Sequence, residues 1–377
     1  MVNPTAVAEA GGMRAKKTSI YTIGKELGVS PATVSRALSH HPAVSADVRA
    51  RVQAAAAKCQ FKPRVVSNRV LNLCALVQQY DGHPLDFSAF LSLELEGVAQ
   101  YCRHENLEMS LYSAHIQELN HCDLVRELRR RGADGAIVIR ANDQTEYLAQ
   151  LEDQHFPYLC LMTGNGRSAE RLLGVDDERL ACAAVEHLIG LGHRRIGMLN
   201  NAPFALHGRR RMEGYRKALA AHGLAVDETV ILTADSEVHH GDLDFGSQSV
   251  DVLWEREPRL TAVFASSEET ARGVLFRLYQ RGIAVPGRMS VVGFDDYPGT
   301  AYTCPPLTTV RVPYLEIGYE GARQVHRMCR KLGMLLPEKV MKNLAGGLVV
   351  RESTGPAAPV KAVRKGGGMR LGEKIQS

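Results

Sequence analysis

Residues 20–38 read IYTIGKELGVSPATVSRAL, and the stretch has the anatomy of a helix-turn-helix. A first short helix carries apolar residues at Ile20, Ile23 and Leu27, and Gly28 breaks it. Ser30 follows as an N-cap, and Pro31 takes the first helical position, where its missing N–H costs nothing. The second helix turns Val34, Ala37 and Leu38 inward and leaves Thr33, Ser35 and Arg36 on its other face. In this arrangement a second helix enters a DNA major groove. The bare motif also fits two small amphipathic helices of an ordinary bundle. Charge weighs toward DNA. Residues 1–70 hold eleven Lys and Arg against three Asp and Glu, a net +8 within a chain of +5. The positive charge therefore sits on the small N-terminal unit, as a phosphate-binding surface needs.

Working outward, HHPAV at 40–44 reads as a loop. Ser45 caps a third helix with Val48, Val52, Ala55 and Ala56 at helical spacing. Three helices this short bury little area, so the headpiece, set at 19–62, is expected to be marginally stable. Residues 1–18 are small and polar, lack the apolar core of a signal peptide and read as a disordered leader, with Met13 an alternative start.

The whole chain has 377 residues, enough for two or three compact units. Its 45% hydrophobic and 23% charged residues match an ordinary soluble protein. No apolar run is long enough to span a bilayer, so no membrane partner is expected. Eight cysteines are scattered without a C-x-x-C pair. That pattern points to reduced, mostly buried thiols in a cytoplasm rather than a disulfide frame or zinc site. His239, His240, Asp242 and Asp244 suggest a metal loop at first sight. No helix or second cluster fixes a ligand geometry there, so a solvated polar loop is the reading, with no metal and no cofactor.

From about residue 72 the pattern changes to strands alternating with helices. Strand-length apolar runs occur at 73–77, 107–111, 135–139, 158–162, 196–199, 230–232, 262–265 and 290–294. Helical segments separate them, such as 92–105, 180–191, 210–222 and 269–281. Alternation of this kind means parallel sheets with helices on both faces. Eight strands fit one wide sheet or two lobes, and the turn-rich TGNGRSAE at 163–170 reads as a crossing between two lobes. The expected fold is thus a small all-α headpiece followed by a two-lobed α/β body. The segment after 355 carries Gly, Pro and a net +4 without periodicity, and reads as a disordered basic tail over 355–377.

The headpiece motif and the body together resemble the lactose-repressor (LacI/GalR) family of bacterial transcription regulators. GVSPATVSRAL at 28–38 is specific to that family. ADGAIV at 133–138, HLIGLGHRRIGML at 187–199, RMEGY at 211–215, VPGRMSVVGFDD at 285–296 and PPLTTVRVP at 305–313 agree in order and spacing. The resemblance runs from about Ser19 to Glu352. It implies a three-helix DNA-binding headpiece, a short hinge at 63–72 and a periplasmic-binding-protein-like effector body at 73–354. It also implies a homodimer on a pseudo-palindromic operator in double-stranded DNA. The first lobe is placed at about 73–163 plus 296–320, and the second at about 164–295 plus 321–354.

Physics assigns roles to the matching residues. Arg36 is placed to reach a guanine O6/N7 edge, a contact worth ~1–3 kcal/mol of discrimination. Pro31 and Ala32 lead the recognition helix and donate no side-chain hydrogen bond, so they read shape or a thymine methyl. Ser30, Thr33, Ser35 and Tyr21 suit phosphate contacts, which position without specifying. The hinge departs from the family pattern: Val70 falls in the slot of an apolar minor-groove wedge, in a linker several residues shorter than usual. Packing in a core is the other reading of Val70.

The effector site is expected between the lobes, at the carboxyl ends of the strands. Arg211 and Asp295 match the family's two principal polar effector contacts and suit a small ligand rich in hydroxyls, a sugar or sugar acid. A mutual salt bridge is the alternative for the pair. Ser267 stands where the family often has an effector-binding Asn. Asp86 and Phe87, with Tyr80, lie in an unusual first-lobe loop and are candidate pocket residues. Arg209 and Arg210 hint at an anionic ligand, or are exposed helix arginines.

These observations favour an effector-gated, cytoplasmic, nucleoid-associated transcription regulator, with repression as the default sign. A ligand-binding receptor without a gene-regulatory role would use the same body but not the headpiece. An enzyme is not expected, since no G-x-S-x-G, P-loop, metal cluster or nucleophile with an obvious base appears.

Overall fold

The structure is a computed structural model that describes residues 20–38, 44–58, 70–79, 89–164, 171–234, 242–330 and 342–358. They form two compact units that divide between Val70 and Leu71. The leader at 1–18, hinge residues 63–69, Asp86, Phe87 and the tail from 359 lie outside the described residues.

The first unit has three helices, α1 (Ile20–Leu27), α2 (Pro31–Leu38) and α3 (Ala46–Lys58). Ile23, Val34, Ala37, Val52, Ala55 and Ala56 make its core, with Leu27, Leu38 and Val48 partly buried around it. Gly28 ends α1 at φ +67°, a conformation that favours glycine. The Val29 N–H closes this turn onto the Gly24 carbonyl at 3.0 Å. Ser30 caps α2, its Oγ accepting the Thr33 N–H at 3.0 Å.

The second unit contains two six-stranded sheets. The first holds β1 (Asn72–Gln79), β2 (Glu108–His115), β3 (Gly135–Ile139), β4 (Tyr158–Leu161), β5 (Leu172–Gly174) and β11 (Lys342–Asn343), in the order β2-β1-β3-β4-β5-β11. The second holds β6 (Ile196–Asn200), β7 (Ile231–Thr233), β8 (Ala262–Ala265), β9 (Ser290–Asp295), β10 (Thr308–Arg311) and β12 (Gly347–Val349), in the order β7-β6-β8-β9-β10-β12. Every pairing is parallel except β10 with β12. Both sheets therefore repeat one doubly wound order, which reverses direction between β1 and β3 and again between β6 and β8. Nearly every residue of the central strands is buried, because helices cover both faces.

Those helices are α4 (Ala89–His104), α5 (Ile116–His121), α6 (Leu124–Arg130), α7 (Leu148–Asp153), α8 (Asp177–Gly190), α9 (Leu206–Ala221), α10 (Asp242–Arg256), α11 (Glu268–Gln280) and α12 (Tyr314–Arg330). Helix α12 packs on α4, β3 and β4 of the first lobe, and α8 on α9 of the second.

Three boundaries read from sequence are corrected. The chain does not cross at 163–170: β5 still pairs with β4 in the first sheet, so the crossing falls between Gly174 and Asp177. β10 pairs with β9 in the second sheet, so 308–311 moves to the second lobe, while α12 and β11 lie with the first, which moves 321–330 and 342–343 there; 314–320 and β12 stay where the sequence placed them. The cause is local. Leu172–Gly174 is too short to register as an apolar run, and TTVR at 308–311 buries two threonines beside a single valine. Finally, Leu71 and Asn72 belong to the body and not to the hinge. Asn72 opens β1 and its N–H binds Asp134 Oδ2 at 2.9 Å, while the Leu71 carbonyl accepts from Glu108 N–H.

Candidate functional site

In the headpiece, the Ser30 and Thr33 hydroxyls bond each other at 2.9 Å on the exposed start of α2. One hydroxyl proton of this pair is spent on the other oxygen, which leaves one to reach a phosphate. Pro31 is half-buried beside them. Tyr21, Ala32, Ser35 and Arg36 lie on α1 and α2, and their side chains lie outside what is described. Val70, the last residue of the first unit, is half-buried.

In the body, Arg211 projects from α9 and is only 3% exposed. Its Nε donates to Asp177 Oδ1 at 2.8 Å, its Nη1 to the Ser266 carbonyl at 2.5 Å, and its Nη1 also lies 3.6 Å from Asp295 Oδ1. The guanidinium stacks on the Phe294 ring, 3.7 Å from its centroid. Burial works against the charge of Arg211, but Asp177 and Asp295 outweigh it and hold the guanidinium more firmly protonated than usual.

Asp295 ends β9 at φ +120°, and Asp296 follows at φ +58°. Both conformations are unfavourable for non-glycine residues. The Asp295 carboxyl accepts from the Tyr314 hydroxyl at 2.8 Å and the Glu268 N–H at 3.3 Å. Burial pushes Asp295 up to about 6, against the pull of Arg211. Asp296 is held by Arg351 at 2.6 Å and Arg311 at 2.7 Å, which fixes the backbone of the strand end.

Two polar contacts join the lobes beside this cluster. Tyr314, the first residue of α12, reaches Asp295. Arg209 Nη1 pairs with Asp143 Oδ2, in the loop after β3, at 2.9 Å. Arg209, one of the two arginines read as a hint of an anionic ligand, is thus engaged by a carboxylate. The proposed Arg211–Asp295 bridge exists only as the longer of two pairs, with Asp177 taking the shorter one.

Ser267 differs from its expected role. It is buried, and its hydroxyl caps α11 by accepting the Thr270 N–H at 3.2 Å and donates to Thr270 Oγ1 at 2.9 Å. Sequence reasoning missed Asp177, Glu268, Phe294 and Tyr314 as members of the cluster. Glu268 is buried at the start of α11 and accepts the Tyr297 N–H at 2.7 Å. Burial pushes its carboxyl up to about 7, although Thr300 and Tyr297 bond it. The adjacent Asp176-Asp177 pair at the start of α8 was the available signal, and only Asp176 acts as the cap.

Among the described residues, no group of His, Cys, Asp and Glu could hold a metal ion. None of their helices is long and apolar enough to cross a membrane. His239 and His240 lie outside the described residues.

A three-helix unit of this kind, followed by a two-lobed body with a polar cluster at its strand ends, defines a ligand-responsive DNA-binding protein. Residues 19–64 match the model of bacterial regulatory proteins of the lacI family, and residues 185–354 match the periplasmic binding protein-like domain. The chain belongs to the lacI family. It is 28% identical over 305 residues to the HTH-type transcriptional regulator AscG of Escherichia coli (strain K12), covering 80% of this chain and 88% of AscG. It is 27% identical over 349 residues to the HTH-type transcriptional regulator DegA of Bacillus subtilis (strain 168), covering 90% and 99%. The structure is similar to the transcriptional regulator CelR–cellobiose complex, with TM-score 0.67 and 26% identity over 89% of this chain and all of that one. It shares its fold with the lac repressor dimer bound to operator and the anti-inducer ONPF, with TM-score 0.66 and 21% identity over 90% and 100%.

Proposed function

We propose that this chain is a sequence-specific transcriptional repressor whose operator affinity is set by a small polar effector bound between the lobes. The observation that carries the reading is the pairing, in one chain, of a lacI-family headpiece with the buried Arg211–Asp177–Asp295 cluster at the β8 and β9 strand ends. The carboxyl ends of the strands are where doubly wound sheets bind ligands. The cluster presents directed donors and acceptors on a rigid frame, as a site for a hydroxyl-rich ligand requires.

On DNA, Arg36 reads a base edge, Pro31 and Ala32 read shape, and Tyr21, Ser30, Thr33 and Ser35 set the register on phosphates. Val70 is the candidate minor-groove wedge. The protein acts as a cytoplasmic, nucleoid-associated homodimer on a pseudo-palindromic operator, without enzymatic turnover. Phe276 and Tyr279, 57% and 79% exposed on α11, supply apolar surface for the dimer face. In Arg211 the effector set keeps its main member. Ser267 contributes by fixing the α11 N-terminus rather than by a free hydroxyl.

The test is a footprint on DNA upstream of its own and neighbouring genes, with the full chain, at several salt concentrations. A protected, two-fold symmetric site that is lost with Arg36→Ala is expected. Uniform binding that ignores sequence at every salt would defeat the reading.

A further inference from the structure

Glu94 lies on α4 in the first lobe and is 1% exposed. Neither of its carboxyl oxygens has a hydrogen-bond partner among the described residues. A buried polar group without a partner is costly, and the cost falls only when something supplies the missing bonds. Its position says what that is. Phe90, one turn earlier on the same face of α4, packs on Tyr314 with ring centroids 6.0 Å apart. Helical side chains lean toward the N-terminus of their helix, and the N-terminus of α4 follows the carboxyl end of β1, where the cleft opens. Tyr314 is hydrogen-bonded to Asp295 and also feels the charge of Glu94. It links the unpartnered first-lobe carboxyl to the second-lobe cluster. His207, on α9 four residues before Arg211, brings a second buried atom, Nδ1, without a partner among the described residues.

The charges narrow the ligand class. Asp177 and Asp295 both engage the one buried guanidinium of Arg211, Glu268 adjoins Asp295 through its backbone N–H, and Arg209 is engaged by Asp143. We propose that Glu94 is a specificity residue of the effector site, bonding hydroxyls of an uncharged sugar, and that the site rejects sugar acids. The inference rests on the reading of the Arg211 cleft as the effector site. A sugar hydroxyl both donates and accepts, so it satisfies a carboxyl in either protonation state. A ligand carboxylate would instead face the field of Asp295 and Asp177, which already engage the Arg211 guanidinium. Burial alone drives Glu94 up to about 8, in keeping with a carboxyl that awaits a partner.

The test is calorimetric titration of the full chain with neutral mono- and disaccharides, cellobiose and ribose among them, and with the matching aldonic acids. At least one neutral sugar is expected to bind, with its acid at least ~10-fold weaker. Glu94→Leu should bind that sugar ~10-fold more weakly while melting no lower than the parent without ligand, because a costly buried carboxyl is gone. Glu94→Gln, which keeps a donor and an acceptor, should stay within about threefold. Unchanged affinity in Glu94→Leu, tighter binding of an acid, or no response to any neutral sugar overturns the proposal. If Glu94→Leu does not fold, the sugar-against-acid comparison on the parent decides. Binding lost in Arg211→Ala but kept in Glu94→Leu sinks the role of Glu94 and spares the cleft. Binding that survives Arg211→Ala sinks the cleft reading itself.

Discussion

Truncating Arg211 would leave the buried Asp177 and Asp295 carboxyls without their shared cation, with the Phe294 ring uncovered. Breaking a buried pair by removing one partner costs about 3–5 kcal/mol, so Arg211→Ala should lose that much in urea denaturation as well as its ligand response. A loss under ~1 kcal/mol would show that water reaches the cluster. Glu94 gives a separate signature in pH. Its folded-state value of about 8 stands above the ordinary 4.5, so the folded protein holds an extra proton across that window. The associated stability is complete below about 4.5 and is lost as pH rises through 8. The Glu94 share of the denaturation free energy should fall by about 3 kcal/mol from pH 6 to pH 9. Glu94→Gln should make that slope shallower, but not flat, because Asp295 and Glu268 are raised in the same direction. An unchanged slope would place the Glu94 carboxyl in contact with solvent. Arg211 and Asp295 were legible in the sequence because each sits inside a motif. Asp177 and Tyr314 were not, because their roles arise only when distant segments meet, Asp177 lying 34 positions from Arg211.

At the scale of elements, the eight apolar runs all became strands because buried parallel strands are continuously apolar, and that signal survives in a single sequence. The strands that escaped notice, β5, β10, β11 and β12, are short or polar and owe their form to a neighbour's hydrogen bonds. Reading lobe membership from chain order failed for the same reason, since α12 is placed by packing and not by the strand before it. That packing has a specific requirement. A Cβ on Gly318 would lie 2.0 Å from the Glu94 carbonyl, and one on Gly97 would lie 2.0 Å from the Leu315 carbonyl. Helices α4 and α12 therefore touch backbone to backbone, which holds Tyr314 over the cleft. Gly318→Ala must separate them, at about 1–3 kcal/mol, and should lower the melting temperature and weaken ligand binding together. A variant that melts lower yet binds normally would show that the crossing does not position Tyr314.

For the whole molecule, the charge is segregated: net +8 on the first 70 residues and net negative on the rest. DNA attraction and effector chemistry thus occupy different units, and regulation requires a free-energy coupling between two binding events. Such couplings run about 1–3 kcal/mol, or 5–150-fold in affinity. Linkage makes the coupling reciprocal, so whatever factor the effector imposes on operator affinity, a saturating operator must impose on effector affinity. For a sugar that releases the operator, calorimetric titration into the protein–operator complex should give weaker binding than titration into free protein, by the factor measured in the operator titration. Both titrations need one fixed salt concentration. Phosphate contacts release counterions, and operator affinity falls by orders of magnitude between 50 and 200 mM salt. An effector bound equally well with and without operator would show that the cleft and the headpiece are thermodynamically independent. The body would then be a receptor that does not control its own DNA-binding unit.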